Sequence, residues 1–214
     1  MAVTLSHADM EYFGNVSQLQ FVNDLVQRIV GEGSLRIDKL SVIPVNMVGN
    51  FQPKITSAPT QGLPSARLTM LVRGVTVGDA GQGVGLLCMM SQRNVTSAGR
   101  AYYLQYRSLN QTLELGQIVS GLNVAGTLFS SVAVPSVSAA LQLSWDLASN
   151  SSQITLRGYI GSQHDFSDLV QVISHVDTTP LTATVTEGGF YSDNGGGNDV
   201  SILVDNMELL PLES

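Results

Sequence analysis

Apolar and polar residues alternate with a period of two over most of this chain, the pattern of strands with one buried and one wet face. In Arg67–Val75, Leu68, Met70 and Val72 alternate with Thr69, Leu71 and Arg73. In Ala101–Arg107, Tyr102, Leu104 and Tyr106 take one face, and Tyr103, Gln105 and Arg107 the other. Leu141, Leu143, Trp145 and Leu147 alternate with Gln142, Ser144 and Asp146. The turn Asn150-Ser151-Ser152 then leads to Ile154, Leu156 and Ile160, set against Thr155, Arg157 and Tyr159. Further strands are predicted over Val84–Met90, over Leu113–Val119, within Leu122–Val134 and over Val200–Val204. Early in the chain, Leu35 and Ile37 alternate with Ser34, Arg36 and Asp38, and Val42–Val45 reads as a strand broken by Pro44. His164–Val176 is the least regular piece, and Thr182–Thr186 reads as a further strand or an ordered loop.

One stretch departs from this period. Over residues 15–31, Leu19, Phe21, Val22, Leu25, Val26, Ile29 and Val30 recur at helical spacing. Asn15 or Ser17 is a fitting N-cap and Gly31 a fitting stop, so a helix is predicted there.

The closing strand organises the rest. A lone edge strand buries little and invites aggregation, so Val200–Val204 must pair with an early strand, expected within Leu35–Val45. Met207 and Leu209 continue on the opposite parity, which implies a bulge or twist near Asp205-Asn206. The Pro-rich stretch 52–65 is a loop and not a domain boundary, because the residues before it cannot supply a core. The organisation expected is an N-terminal arm over 1–33, carrying the helix, and one β-domain over 34–214.

Composition narrows the surface more than the fold. Charged residues are 13% of the chain against roughly 25% in ordinary soluble domains, lysines are only Lys39 and Lys54, and the net charge is −7. Nucleic-acid binding is disfavoured, since it needs clustered Lys and Arg. A surface built of Ser, Thr, Asn, Gln and Gly suits a protein packed against neighbours. The apolar stripe of 15–31 is then expected to contact a second chain. The single cysteine, Cys88, sits in an apolar run and reads as a buried small hydrophobe. The first fifteen residues lack a basic region and an apolar run of about 7–15 residues, so no signal peptide is expected. No stretch approaches the roughly 18 apolar residues of a membrane span.

The order of elements carries a resemblance. RLTMLVRGV, VGLLCMM, AYYLQYR, TLELGQIV, the pair LQLSWDLA and ITLRGYI, then GGFYSD and the closing VSILVDNMEL follow one another. This order resembles the concanavalin A-like lectin/glucanase superfamily, particularly its laminin-G-like members, over about residues 34–212. The resemblance implies a mainly β fold, an antiparallel two-sheet jelly-roll sandwich whose first and last strands pair.

Candidate chemistry is sparse. Glycan-cleaving members of that superfamily carry paired carboxylates at Glu-x-Asp-x-Glu-like spacing, and retaining chemistry needs them about 5 Å apart. Here Asp205 and Glu208 lie three apart, on opposite faces of an unbulged strand, and Glu32 and Glu114 stand alone. No Gly-x-Ser-x-Gly elbow accompanies His7, His164 or His175, and the last two read as polar loop residues. No enzyme activity and no cofactor are expected. The loop 188–199 offers Asp193, Asn194, Asn198 and Asp199 as oxygen ligands for Ca²⁺. Asn and Asp beside Gly are also what a long tight loop needs for its backbone, and that reading is preferred. The same loop offers Tyr191, Asp193, Asn194 and Asn198 as glycan-binding residues. Trp145 falls on an apolar face and is expected in the core.

The function these features favour is a non-enzymatic structural subunit, such as a tailed-bacteriophage virion component that assembles with itself or other shell proteins. Its place would be the virion, or otherwise the cytoplasm. The alternative is a carbohydrate-binding module or adhesin using the 188–199 loop.

Overall fold

The computed structural model describes the backbone of residues 3–5, 10–14, 19–22, 34–39, 45–51, 64–76, 82–91, 98–107, 110–121, 126–134, 138–181, 189–194 and 200–212. Side chains are described for 64–72, 84–91, 98–107, 110–121, 126–134, 140–181, 189–191, 208–210 and 212. All regular structure among them is strand: β1 (Val3–Leu5), β2 (Met10–Gly14), β3 (Leu19–Val22), β4 (Ser34–Lys39) and β5 (Val45–Phe51) come first. They are followed by β6 (Ser65–Thr76), β7 (Gln82–Cys88), β8 (Ala101–Arg107), β9 (Thr112–Ile118) and β10 (Thr127–Ala133). The last five are β11 (Ser138–Leu147), β12 (Ile154–Gly161), β13 (Val170–Asp177), β14 (Gly189–Asn194) and β15 (Val200–Pro211).

These strands form two antiparallel sheets. The eight-stranded sheet runs β13-β12-β11-β6-β15-β4-β3, with β1 on β15; the seven-stranded sheet runs β10-β9-β8-β7-β14-β5-β2. The molecule is the antiparallel two-sheet jelly-roll sandwich that the resemblance implies. Its closing strand pairs as the alternation demands, with Val200 opposite Lys39, Ile202 opposite Ile37 and Val204 opposite Leu35. The phase change is there too: the register of β15 against β6 shifts between Asp205 and Glu208. Met207 and Leu209 pair with Leu5 and Val3 of β1.

The core lies between the sheets and is drawn from the predicted inward positions. Leu68 and Met70 of β6, Tyr102 and Leu104 of β8, and Leu141, Leu143 and Trp145 of β11 are all 0% exposed. Burying each such side chain contributes about 1.5–3 kcal/mol. Cys88 joins this cluster, and burial pushes its thiol well above the usual range. A second apolar cluster covers the other face of the seven-stranded sheet: Leu87, Met90, Ala101, Tyr103, Ile118 and Tyr191. The central strands β7 and β8 are therefore buried on both faces, which alternation alone does not predict.

Two expectations about the N-terminal region change. Leu19–Val22, inside the stretch predicted helical, is strand β3, with Leu19 opposite Ile37 and Phe21 opposite Leu35. Leu19 and Phe21 fit a period of two as well as a helix, and the available edge of β4 decides between them. Residues 15–18 and 23–31 lie outside the described residues. Strands β1 and β2 also join the two sheets, through β15 and β5. Residues 1–33 thus supply three strands to the sandwich instead of standing outside it.

Candidate functional site

The loop singled out from the sequence begins on β14. Tyr191, Asp193 and Asn194 lie on this strand, between β7 and β5: Tyr191 pairs with Gly85 and Val48, Asp193 with Gly83 and Asn46. The side chains of Asp193 and Asn194 fall outside the described residues, as do Asn198 and Asp199 altogether. No group of three or more His, Cys, Asp or Glu lies together among the described residues. Tyr191 itself is 2% exposed, and its ring meets Tyr103 edge-on with centroids 6.1 Å apart. It can lie across the sheet because its neighbour is glycine. A Cβ at Gly85 would run into the Leu104 carbonyl oxygen and come within 2.7 Å of Tyr191 Cε1. Tyr103 lies over Gly116 in the same way, its hydroxyl oxygen 2.5 Å from where a Cβ would stand. Tyr191 is thus a floor residue under the β14 end, without an open ring face.

Polar groups share this outer face. Gln105 is opposite Gly85 on one side and Glu114 on the other, and Arg107 is opposite Thr112. Arg107 donates from Nε to Glu114 Oε2 at 2.8 Å. Gln105 Nε2 and Thr112 Oγ1 are buried and have no hydrogen-bond partner among the described residues. A buried polar group left so is costly unless a water or ligand meets it.

The eight-stranded sheet carries a feature not anticipated from the sequence: a groove of about 450 Å³ on the face away from the core. Its floor is one rung across four adjacent strands, Tyr159 opposite Gln142, Gln142 opposite Thr69, and Thr69 opposite Glu208. Arg67 and Leu210, paired on the next rung, complete the sheet side. Asp165, Phe166 and Leu169 of the β12–β13 loop form the wall. Alternation places each sheet residue outward, but only the strand order brings them together, and that order is not written in any local pattern.

The wall is held by its own hydrogen bonds. Asp168 accepts from the Ser162 amide at 2.8 Å, the Ser162 hydroxyl at 2.7 Å and the Gln163 amide at 2.9 Å. The Gln163 amide and the Ser162 hydroxyl and amide hold the Asp168 carboxyl below the usual carboxylate range. Asp165 accepts from the Ser167 amide at 3.0 Å, and the Ser167 hydroxyl and amide lower its pKa likewise. The loop folds down onto the sheet at Gly161, where a Cβ would collide with the Asp168 carboxylate. Phe166 stands at φ 60°, a left-handed conformation uncommon for so bulky a residue.

Of the histidines, His164 is an exposed loop residue as expected. His175 is not a loop residue: it lies in β13 and stacks on Phe129 of β10, with ring centroids 4.0 Å apart and planes 13° from parallel.

No family model matches the sequence, and no curated protein matches it. Solved structures do match the fold. The exoplasmic/lumenal domain of VIP36, in its Ca²⁺/Man3GlcNAc-bound form, is 9% identical with a TM-score of 0.61, covering 100% of this chain and 89% of that one. A legume lectin-like domain from Entamoeba histolytica is 12% identical with a TM-score of 0.60, covering 96% and 91%. The lectin from Bauhinia forficata in complex with GalNAc is 10% identical with a TM-score of 0.58, covering 98% and 97%. Nothing in these likenesses supports the bacteriophage virion expectation. At such identities they establish the fold, and the fold is a lectin-like, concanavalin A-like β-sandwich.

Proposed function

We propose that this chain is a non-enzymatic carbohydrate-binding domain, the alternative raised by the sequence, and not a virion subunit. The observation that carries the reading is the likeness, over nearly the whole chain, to sandwiches described with saccharides bound. Fold likeness by itself is analogy. Two features of the chain support it independently. Its surface is poor in charge and rich in amide and hydroxyl groups, which suits a neutral polyol better than an anion. The outer face of the seven-stranded sheet also carries polar side chains, Gln105, Arg107, Thr112 and Glu114, along neighbouring rungs of β8 and β9. The primary site in this reading is the 188–199 segment that begins on β14, with Asp193, Asn194 and Asn198 as the candidate ligand-binding residues.

The test is a glycan array probed with the full chain, alongside its mass in solution. A glycan bound in a concentration-dependent way and competed by the free sugar supports the reading. A chain inert on every glycan that assembles with copies of itself would return weight to the structural-subunit reading.

A further inference from the structure

We propose that the groove on the outer face of the eight-stranded sheet is a second saccharide site, separate from the β14 end, that takes a neutral pyranose. The class of ligand rests on the carbohydrate-binding reading above, while the place is new. At about 450 Å³ the groove lies within the range of ligand-binding clefts, about 300–1,000 Å³.

The groove is built, not merely left over between side chains. Thr69 and Gln142 are 6% and 7% exposed, yet both line it, so their polar ends form a nearly closed floor. The rung from Tyr159 to Glu208 spans three strand spacings, about 14 Å in all, long enough to seat a disaccharide with room to spare. The loop wall is fixed by the Asp168 hydrogen bonds and seated by Gly161, so no ordering cost falls on the ligand for that wall.

The chemistry of the lining selects the ligand. Glu208 and Asp165 accept from hydroxyl groups, Arg67 donates, the Gln142 amide does both, and the Thr69 hydroxyl, which donates to the Glu208 carbonyl oxygen at 3.4 Å, accepts. Two aromatic rings, Tyr159 and Phe166, and the apolar Leu169 and Leu210 stand among these groups. A purely apolar ligand would strand the polar floor without partners. An anionic ligand would meet two carboxylates against one guanidinium. A pyranose satisfies both halves, with hydroxyl groups around its rim and a C–H face to lie on an aromatic ring.

The experiment is a titration of the uniformly ¹⁵N-labelled full chain with maltose, cellobiose, lactose and mannobiose, followed by amide chemical shifts. It is repeated with Glu208→Gln, which keeps shape while removing charge, and with Phe166→Gly, which suits the left-handed backbone. At least one disaccharide is expected to shift the amides of Thr69, Gln142, Phe166 and Leu169. Each substitution should weaken that binding about tenfold, the loss of one charge-assisted hydrogen bond or one ring contact. Shifts confined to the β14 end would overturn the groove proposal and leave the carbohydrate reading standing. Shifts in the groove that both substitutions leave unchanged would overturn it as well. No shift anywhere with any of the four sugars would overturn both.

Discussion

Tyr102 of the seven-stranded sheet donates its hydroxyl to Asp177 Oδ2 of the eight-stranded sheet at 2.7 Å, and accepts from the Leu181 amide at 3.0 Å. One side chain thus ties the two sheets together at the open side of the sandwich, where β10 and β13 are the edge strands. The ring is fully buried and packs near Phe129, with centroids 6.2 Å apart. Burial, before all else, and then the bond to Asp177 push its pKa up. Tyr102→Phe should lower stability by about 1.5–3 kcal/mol, toward the lower figure because Asp177 is half-exposed. Urea denaturation at neutral pH measures it.

The same contact gives a pH dependence. Burial pushes the Asp177 carboxyl up, but the Tyr102 hydroxyl, the Thr179 amide and hydroxyl, and the nearby His175 together hold it below the usual carboxylate range. A carboxyl lowered on folding stabilises the native state above its unfolded pKa, about 3.9, and loses that contribution as pH falls through the folded value. Wild-type stability should therefore drop as pH falls below about 4, and the drop should be shallower in Tyr102→Phe. Equal slopes in the two proteins would disprove the linkage.

Trp145 is 0% exposed at the centre of the main core cluster. Trp145→Ala should cost about 3–5 kcal/mol, a large share of typical total stability. A loss below about 1 kcal/mol in denaturant titration would contradict its placement between the sheets.

Position was legible in the sequence wherever one strand decided it. The period of two put Leu141, Leu143 and Trp145 inward, and the reversed parity at Met207 gave the register shift of β15. Apart from the closing strand's pairing with β4, partners across long separations were not legible, which is why Glu208, Thr69, Gln142 and Tyr159 show no common purpose until the strands are ordered. The seven-stranded sheet misleads for a different reason. Tyr103 and Gln105 look like a wet face, yet both are buried, because glycines at 85 and 116 let tyrosine rings lie flat over them. Phe21 failed through ambiguity, since a short apolar run fits either period until an edge is offered to it.

Gly85 is the position that carries that packing. Gly85→Ala should destabilise by about 1–3 kcal/mol, because the new methyl group meets backbone at Leu104 and the Tyr191 ring. Adding Tyr191→Ala removes only the ring half of the clash. The double variant should be less destabilised than the sum of the single changes, and strict additivity would show that the ring is not what Gly85 accommodates.

Gly161→Ala should lift the β12–β13 loop by displacing Asp168, leaving the core intact. Amide hydrogen exchange at Ser162 and Gln163 should accelerate, while exchange in β11 stays unchanged. Acceleration throughout β11 would mean that the loop is part of the global fold and no separate wall.

Saccharide binding itself is tested most directly by saturation-transfer NMR on the full chain with free mono- and disaccharides, which detects affinities as weak as about 1 mM, or roughly −4 kcal/mol. A carbohydrate-binding sandwich should transfer saturation to the ring protons of at least one neutral sugar, and an excess of a second, better-bound sugar should abolish the transfer. No transfer to any sugar, from protein shown to be folded in the same tube, would contradict it.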